Sequence, residues 1–231
     1  MYSRRLSEDD VRSFSVSGKL WHGVLVMLDD GSRSLWTQLD GRAIAGEEQG
    51  ARLEHVPSTF TTWGQWREAH PDTLVLAKDA ETLEREGSAY ADYFADPDRL
   101  FLEHLGEGLG GVGAKDVVFG VVVEGAAHAV TEGLLEREGI VNAVVGGRPV
   151  AFLRDSTTGR VVAVDRRLGE RVLVAVPRPG RNPAEFFEDA LSGEVHGPDE
   201  LQELRVDRAY WYAWSRSHPG STVTGGPSAD S

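Results

Sequence analysis

Two stretches of this chain carry the same residues at the same spacing, and any fold must accommodate both. The first is Thr62-Trp63-Gly64-Gln65-Trp66-Arg67-Glu68-Ala69-His70-Pro71-Asp72-Thr73, and the second is Tyr210-Trp211-Tyr212-Ala213-Trp214-Ser215-Arg216-Ser217-His218-Pro219-Gly220-Ser221. Two tryptophans, a histidine, a proline and a hydroxyl residue recur 148 positions on (63 to 211, 66 to 214, 70 to 218, 71 to 219, 73 to 221). Local signals favour helix. Thr62 can cap it and Gln65, three residues later, can bond back, as in a capping box. Trp63, Trp66 and His70 fall at i, i+3 and i+7 and share one helical face. Pro71 cannot continue the helix, and Thr73 to Leu76 is predicted as a strand.

The similarity runs past this kernel. Leu53 and Val56 align with Leu201 and Leu204 at the same offset. Gly41 to Gly46 aligns with Gly193 to Gly197 after a one-residue deletion, which places Phe186 or Phe187 near the position of Trp36. The segment 117–176 has no counterpart ahead of the first stretch, so the first unit is expected to be N-terminally incomplete. The expected fold class is α+β, mostly β, with two related β-rich units that each end in a short Trp-x-x-Trp-x-x-x-His-Pro helix. Their bounds are 11–78 for the first unit and 116–222 for the second, with a connector over 79–115 and a disordered tail over 223–231.

Alternation around Phe14, Val16, Leu20, Val24 and Val26, with a turn at Asp29-Asp30-Gly31-Ser32, predicts a strand pair. Ser34 to Leu39 continues it, Leu53 to Val56 is a short strand ending at Pro57, and residues 1–10 are expected to fray. Residues 80–99 are expected to mix helix and loop, and Gly106 to Gly113 to form a hinge. Strands are predicted at 117–123 and 126–130 around Glu124-Gly125, then at 140–145, 149–154, 161–164 and 172–176. Thr131 to Glu138 is predicted as a helix capped by Thr131.

A net charge of −13 opposes nucleic-acid binding, which needs a basic surface. There are no cysteines, which excludes disulfides, thiolate nucleophiles and cysteine metal sites. The most apolar stretch, Val117 to Leu135, is broken by Glu124 and His128 and is no membrane span. The N-terminus lacks an apolar signal core, which points to the cytoplasm, or to export if a missing N-terminal segment carries the signal.

The run Phe14-Ser15-Val16-Ser17-Gly18-Lys19-Leu20-Trp21, with Ser34 to Leu39, Ala43 to Gly46, Val56 to Thr59 and Trp63 to Thr73, resembles a large prokaryotic family, the domain-of-unknown-function family numbered 3179. Lys115 to Arg166 resembles its next block through Phe119-Gly120, Asn142, Gly146-Gly147 and Asp165-Arg166. The resemblance covers residues 11–222 and implies tandem β-rich repeats without an established biochemical role. It also implies a Cys-Pro-x-Cys-like segment, at times with selenocysteine, ahead of the first Ser-Gly motif. This chain has no such segment, and Val150 to Asp155 in the second unit carries no thiol.

The candidate site residues are aromatic: Trp36, Trp63, Trp66, His70, Trp211, Trp214 and His218. They could line a pocket for a sugar, a cation or a planar ligand. Alternatively, the tryptophans anchor helices on a sheet while the imidazoles cap helix C-termini, and duplication favours this packing role. Gly108 to Gly113 matches a dinucleotide fingerprint in letters but lacks the strand before it and the helix after it. The seven histidines form no ligand-spaced pair, and no nucleophile elbow is present. No catalytic residue, cofactor or metal is therefore assigned. The preferred expectation is a non-catalytic binding or structural module, with a separately encoded N-terminal segment or a second copy as partner. The alternative is a partial member of a thiol-dependent redox or metal-handling family that needs a Cys-bearing partner.

Overall fold

Alternation from Phe14 onward builds one sheet, and a near-continuous valine run builds another. The computed structural model describes residues 1–56, 58, 60–79 and 90–226. A ribbon of β1 (Arg5–Ser7) and β2 (Asp10–Val11) leads into an antiparallel meander. The meander comprises β3 (Phe14–Trp21), β4 (Val24–Asp29), β5 (Leu35–Thr37) and β6 (Ala43–Ala45). Trp36 on β5 is fully buried, edge-on to Phe14 with 5.7 Å between ring centroids, beside Ala43 and Leu53. The expected fraying of residues 1–10 does not occur, because β1 pairs with β2 and the Tyr2 hydroxyl donates to Leu39 O at 2.5 Å. The predicted strand at Leu53–Val56 reduces to isolated bridges at Arg52 and His55.

Helices α1 (Trp63–Ala69) and α2 (Ala91–Ala95) and a 3-10 turn at Glu103–Gly106 follow. The valine-rich stretch then forms the hairpin of β7 (Val117–Val123) and β8 (Ala126–Thr131). Its two turn residues, Glu124 (φ 51°) and Gly125 (φ 84°), take the left-handed conformations that a tight hairpin requires. Thr131 caps α3 (Glu132–Glu138) by accepting the Leu134 N–H, as its sequence position predicts. Next come β9 (Ile140–Val145), β10 (Arg148–Arg154) and β11 (Val161–Asp165). The predicted strand at 172–176 is split. β12 (Arg167–Leu168) pairs with β13 (Arg171–Val172), and β14 (Ala175–Pro177) starts a second small meander with β15 (Phe187–Asp189) and β16 (Val195–His196).

The last strands close two sheets. β17 (Gln202–Leu204) joins the edge of β11, giving the order β17-β11-β10-β9. β18 (Asp207–Tyr210) lies antiparallel to β7, α4 (Trp211–Ser217) crosses over, and β19 (Thr222–Thr224) lies parallel to β8. Both faces of β7–β8 are covered, which explains why β7 is apolar at successive positions. Phe119, Val121 and Val123 pack with Leu135 of α3 and Phe152 of β10, while Val118 and Ala129 pack with Trp211 and Trp214. The far face of the β9–β11 sheet meets Leu173, Ala175 and Phe187.

The architecture is thus mostly β with a few short helices, as expected. Several local expectations are corrected. Thr73–Leu76 is not a strand, because among the described residues nothing pairs with it, and Leu74 and Leu76 are 95% and 92% exposed. Gly106–Gly113 is no free hinge, since Leu109 and Val112 are buried against α4. The disorder expected from 223 does not hold at Val223 and Thr224, because Val223 pairs with Ala129 and packs on the α4 core and Thr224 pairs with Val130. Residues 227–231, Pro57, Thr59, and 80–89 of the connector lie outside the described residues. No helix among the described residues is long and apolar enough to cross a membrane.

Two hairpin turns are built alike. The Asp29 carboxylate accepts the N–H groups of Gly31 (2.9 Å) and Ser32 (3.4 Å) and the Ser32 hydroxyl (2.8 Å). The Asp189 carboxylate accepts the N–H groups of Leu191 (3.4 Å) and Ser192 (3.2 Å) and the Ser192 hydroxyl (2.7 Å). The residue placed like Trp36 is therefore His196, not Phe186 or Phe187. The glycine-based alignment of Gly41–Gly46 with Gly193–Gly197 was off because the turns conserve an Asp and a Ser rather than glycines.

Candidate functional site

The two Trp-Trp-His helices share one local geometry. Each ends on its histidine, at φ −133°, ψ 71° for His70 and φ −127°, ψ 74° for His218. The cap N–H groups bond Trp66 O at 2.8 Å and Trp214 O at 2.9 Å. Each imidazole folds back on the second indole of its helix, with centroids 4.1 Å apart and rings tilted by 41° in the first, and centroids 3.9 Å apart and rings stacked at 28° in the second. Thr62 and Gln65 form the predicted capping box, whereas Tyr210 gives α4 no side-chain cap.

Their surroundings differ. Trp211 and Trp214 are 5% and 0% exposed, and the Trp211 indole N–H donates to Leu109 O at 2.8 Å. Trp214 lies over Gly120 of β7, where an added Cβ would come within 2.4 Å of its ring. A glycine inside a strand here marks the close approach of another group. His218 Nδ1 lies 3.2 Å from Trp214 O, and since a carbonyl only accepts, the proton sits on Nδ1. Burial holds the His218 pKa below its ordinary value, so it acts as a neutral donor and not as the cationic cap expected.

On α1 no residue is buried, and Trp63 and Trp66 are 49% and 41% exposed. The Trp66 indole N–H donates to Thr73 Oγ1 at 3.0 Å. The corresponding Trp214 Nε1 and Ser221 Oγ are both buried without a partner. One tether holds α1 to the β10–β11 turn, from Gln65 Nε2 to Thr157 O at 2.8 Å.

The N-terminal half of α1 borders a cleft of about 820 Å³ between the first meander and β18, lined among others by Tyr2, His55, Phe60, Asp207, Arg208 and Tyr212. At one wall Arg205 donates to Asp207 Oδ1 (2.8 Å), Leu39 O (3.0 Å) and the Tyr2 hydroxyl (2.7 Å). Burial pushes the Tyr2 phenol up to about 12 and raises the Asp207 carboxyl, which Arg205 pulls back down. Burial and the Arg205 charge keep His55 below its ordinary value. Arg208 lies over the Phe60 ring at 4.6 Å and pairs with Glu132 at 3.3 Å. The cluster is a satisfied polar network suited to holding the cleft's shape.

A smaller concavity of about 330 Å³ contains His128 and His218. His128 Nδ1 and Nε2 face the hydroxyls of Thr222 (2.7 Å) and Thr224 (3.3 Å), which makes it the satisfied residue expected. Among the described residues no three His, Cys, Asp or Glu side chains gather as a metal site.

Of the sequence candidates, Trp211, Trp214 and His218 come together at the α4 core, Trp36 belongs to a separate core, and Trp63, Trp66 and His70 stay on α1. Sequence reasoning missed Tyr2, His55, Arg205 and Asp207. Their only signal was the placement of Arg205 and Asp207 on either side of Val206, a pattern that is common.

A family model described as "Protein of unknown function (DUF3179)" matches residues 1–221. The chain belongs to this family. Several of the DUF3179 motif residues serve the fold. Ser17 Oγ donates to Val26 O at 2.5 Å at the β3 irregularity. The Asn142 amide exchanges two bonds with the Ala175 backbone, at 2.7 and 3.2 Å, and joins β9 to β14. Arg166 is buried and donates to Val150 O (3.2 Å), Leu173 O and Ala143 O (3.5 Å). Neither a curated protein nor a solved structure matches this DUF3179 chain.

Proposed function

We propose that this DUF3179 protein is a non-catalytic binding or structural module in which α4 holds the fold and α1 presents a docking surface. The carrying observation is that Trp66 is 41% exposed and Trp214 0% exposed within one local geometry. Exposed apolar patches rimmed by polar residues mark interaction sites, and aromatic side chains are enriched at interface cores. The cleft supports binding over catalysis, because its charged groups are matched to one another: Arg205 to Asp207, Arg208 to Glu132 and Arg160 to Glu203.

Thermal melting of two variants tests the reading. Trp66→Ala should melt with the unsubstituted protein, because surface substitutions stay within about 0.5 kcal/mol. Trp214→Ala should melt far lower, losing about 3–5 kcal/mol. A comparable loss in Trp66→Ala would make α1 a second core anchor and remove the docking surface.

A further inference from the structure

The surroundings of α4 show what fits the open face of α1. Residues 60–62 precede α1 as Arg208–Tyr210 precede α4, and Leu74–Leu76 follow α1 as Thr222–Thr224 follow α4 (208 to 60, 222 to 74). At α4 the space between the two flanking segments is filled by one hairpin. β18 runs antiparallel on β7, β19 runs parallel on β8, and Gly120 admits Trp214. At α1, among the described residues, that place is empty of strands. Leu74, Val75 and Leu76 have no ladder partner, and the indoles of Trp63 and Trp66 face water.

We infer, on the reading of α1 as a docking surface, that residues 60–76 receive a β-hairpin from a separate polypeptide. The hairpin is apolar and antiparallel, and it carries a glycine where it meets Trp66. Recognition would be by strand addition to the segments on both sides of α1, with the Trp66 ring seated on the glycine.

Three observations set this chemistry. The Trp66–His70 pair already lies close to the arrangement of the buried Trp214–His218 pair, with centroids 4.1 against 3.9 Å apart and rings at 41° against 28°, so the receptor needs little reorganisation. Trp63, Trp66 and Leu74 to Leu76 leave on the order of 500 Å² of apolar side chain open, and a matching partner surface brings the total to about 1,000 Å², which a specific interface requires. Glu124 is the one Asp, Glu, Lys or Arg within Val117–Thr131, and a net charge of −13 repels an acidic partner, so a near-neutral hairpin fits. A second native copy cannot supply it, because both outer edges of its own β7–β8 are occupied by β18 and β19.

The test titrates the full chain with a carrier-fused copy of residues 115–131 and follows amide hydrogen exchange. The expected result is a saturable slowing of exchange at residues 74–76 by about tenfold or more. The same hairpin carrying Gly120→Val should give none. Absence of slowing at high hairpin concentration overturns the inference. So does slowing that needs no hairpin and grows with protein concentration, since the occupant is then a second copy. If this test fails while Trp66→Ala melts normally, the docking surface stands for a different ligand. If Trp66→Ala melts low, the surface itself falls.

Discussion

Trp214 rests on Gly120, with the indole filling the space where a β-carbon would stand 2.4 Å from its ring. The contact joins helix α4 to the centre of the β18-β7-β8-β19 sheet. It also makes the second Trp-Trp-His stretch a packing element, whereas the first, with the same histidine C-cap and a similar imidazole–indole contact, remains open.

The Gly120 contact gives a double-mutant prediction. Gly120→Val should cost about 1–3 kcal/mol through overpacking. Combined with Trp214→Ala, its cost should shrink sharply, since the valine then fills space the ring vacated. Urea unfolding of the four proteins measures this, and strictly additive losses would show that the ring is not seated on the glycine.

Asp189 predicts an acid-range effect. The Ser192 hydroxyl, followed by the Val174 N–H, holds its carboxyl down at about 2, against an ordinary 3.8. A folded-state pKa below the unfolded one contributes stability that is present above the ordinary value and lost as pH falls toward about 2. Asp189→Asn should therefore flatten the dependence of stability on pH in that window. Chemical denaturation across the window checks it, and an unchanged slope refutes it.

His128 predicts a second pH effect, of different location. Burial lowers its pKa below 6.5, so the folded state resists the proton that the unfolded chain accepts. Its contribution is present above 6.5 and declines as pH falls below it. Because both ring nitrogens face hydroxyls of β19, amides 222–224 should exchange faster at about pH 5 than the rest of the sheet, after correction for intrinsic rates. His128→Gln should remove the difference between strands.

Arg205 and Asp207 predict a third. Burial already raises the Asp207 pKa, and Arg205 opposes that rise. Arg205→Met should raise it further and cost about 1–3 kcal/mol near neutral pH, where the carboxylate is left charged and poorly matched. An acid whose folded pKa exceeds its unfolded one loses stability as pH rises through the interval, so the deficit should shrink on acidification. Carboxyl carbon NMR titration of Asp207, with melting at two pH values, tests both parts.

The valine periodicity, the Glu124-Gly125 turn, the Thr131 cap and the Thr62–Gln65 capping box were all legible, because each depends on neighbours within a few residues. The sequence also located both Trp-Trp-His helices. It could not separate them, since burial of Trp214 depends on Gly120, which is 94 positions earlier (214 to 120). The Tyr2–Arg205–Asp207 cluster was hidden for the same reason, as it joins the start of the chain to its last strands. Leu74 to Leu76 was misread as a strand because its composition fits one, while strand formation also needs a neighbour to pair with.

The parallel seating of β19 on β8 bears on synthesis at the ribosome. β7 and β8 are complete once Thr131 has emerged, yet both outer edges stay unpaired until β18 and β19, residues 207 to 224, arrive. At roughly 5–20 residues per second, the most apolar hairpin of the nascent chain spends several seconds as an unprotected template for other strands. Translation pauses over residues 132–206 would lengthen that interval, and a holding chaperone acting there would protect the yield of folded protein.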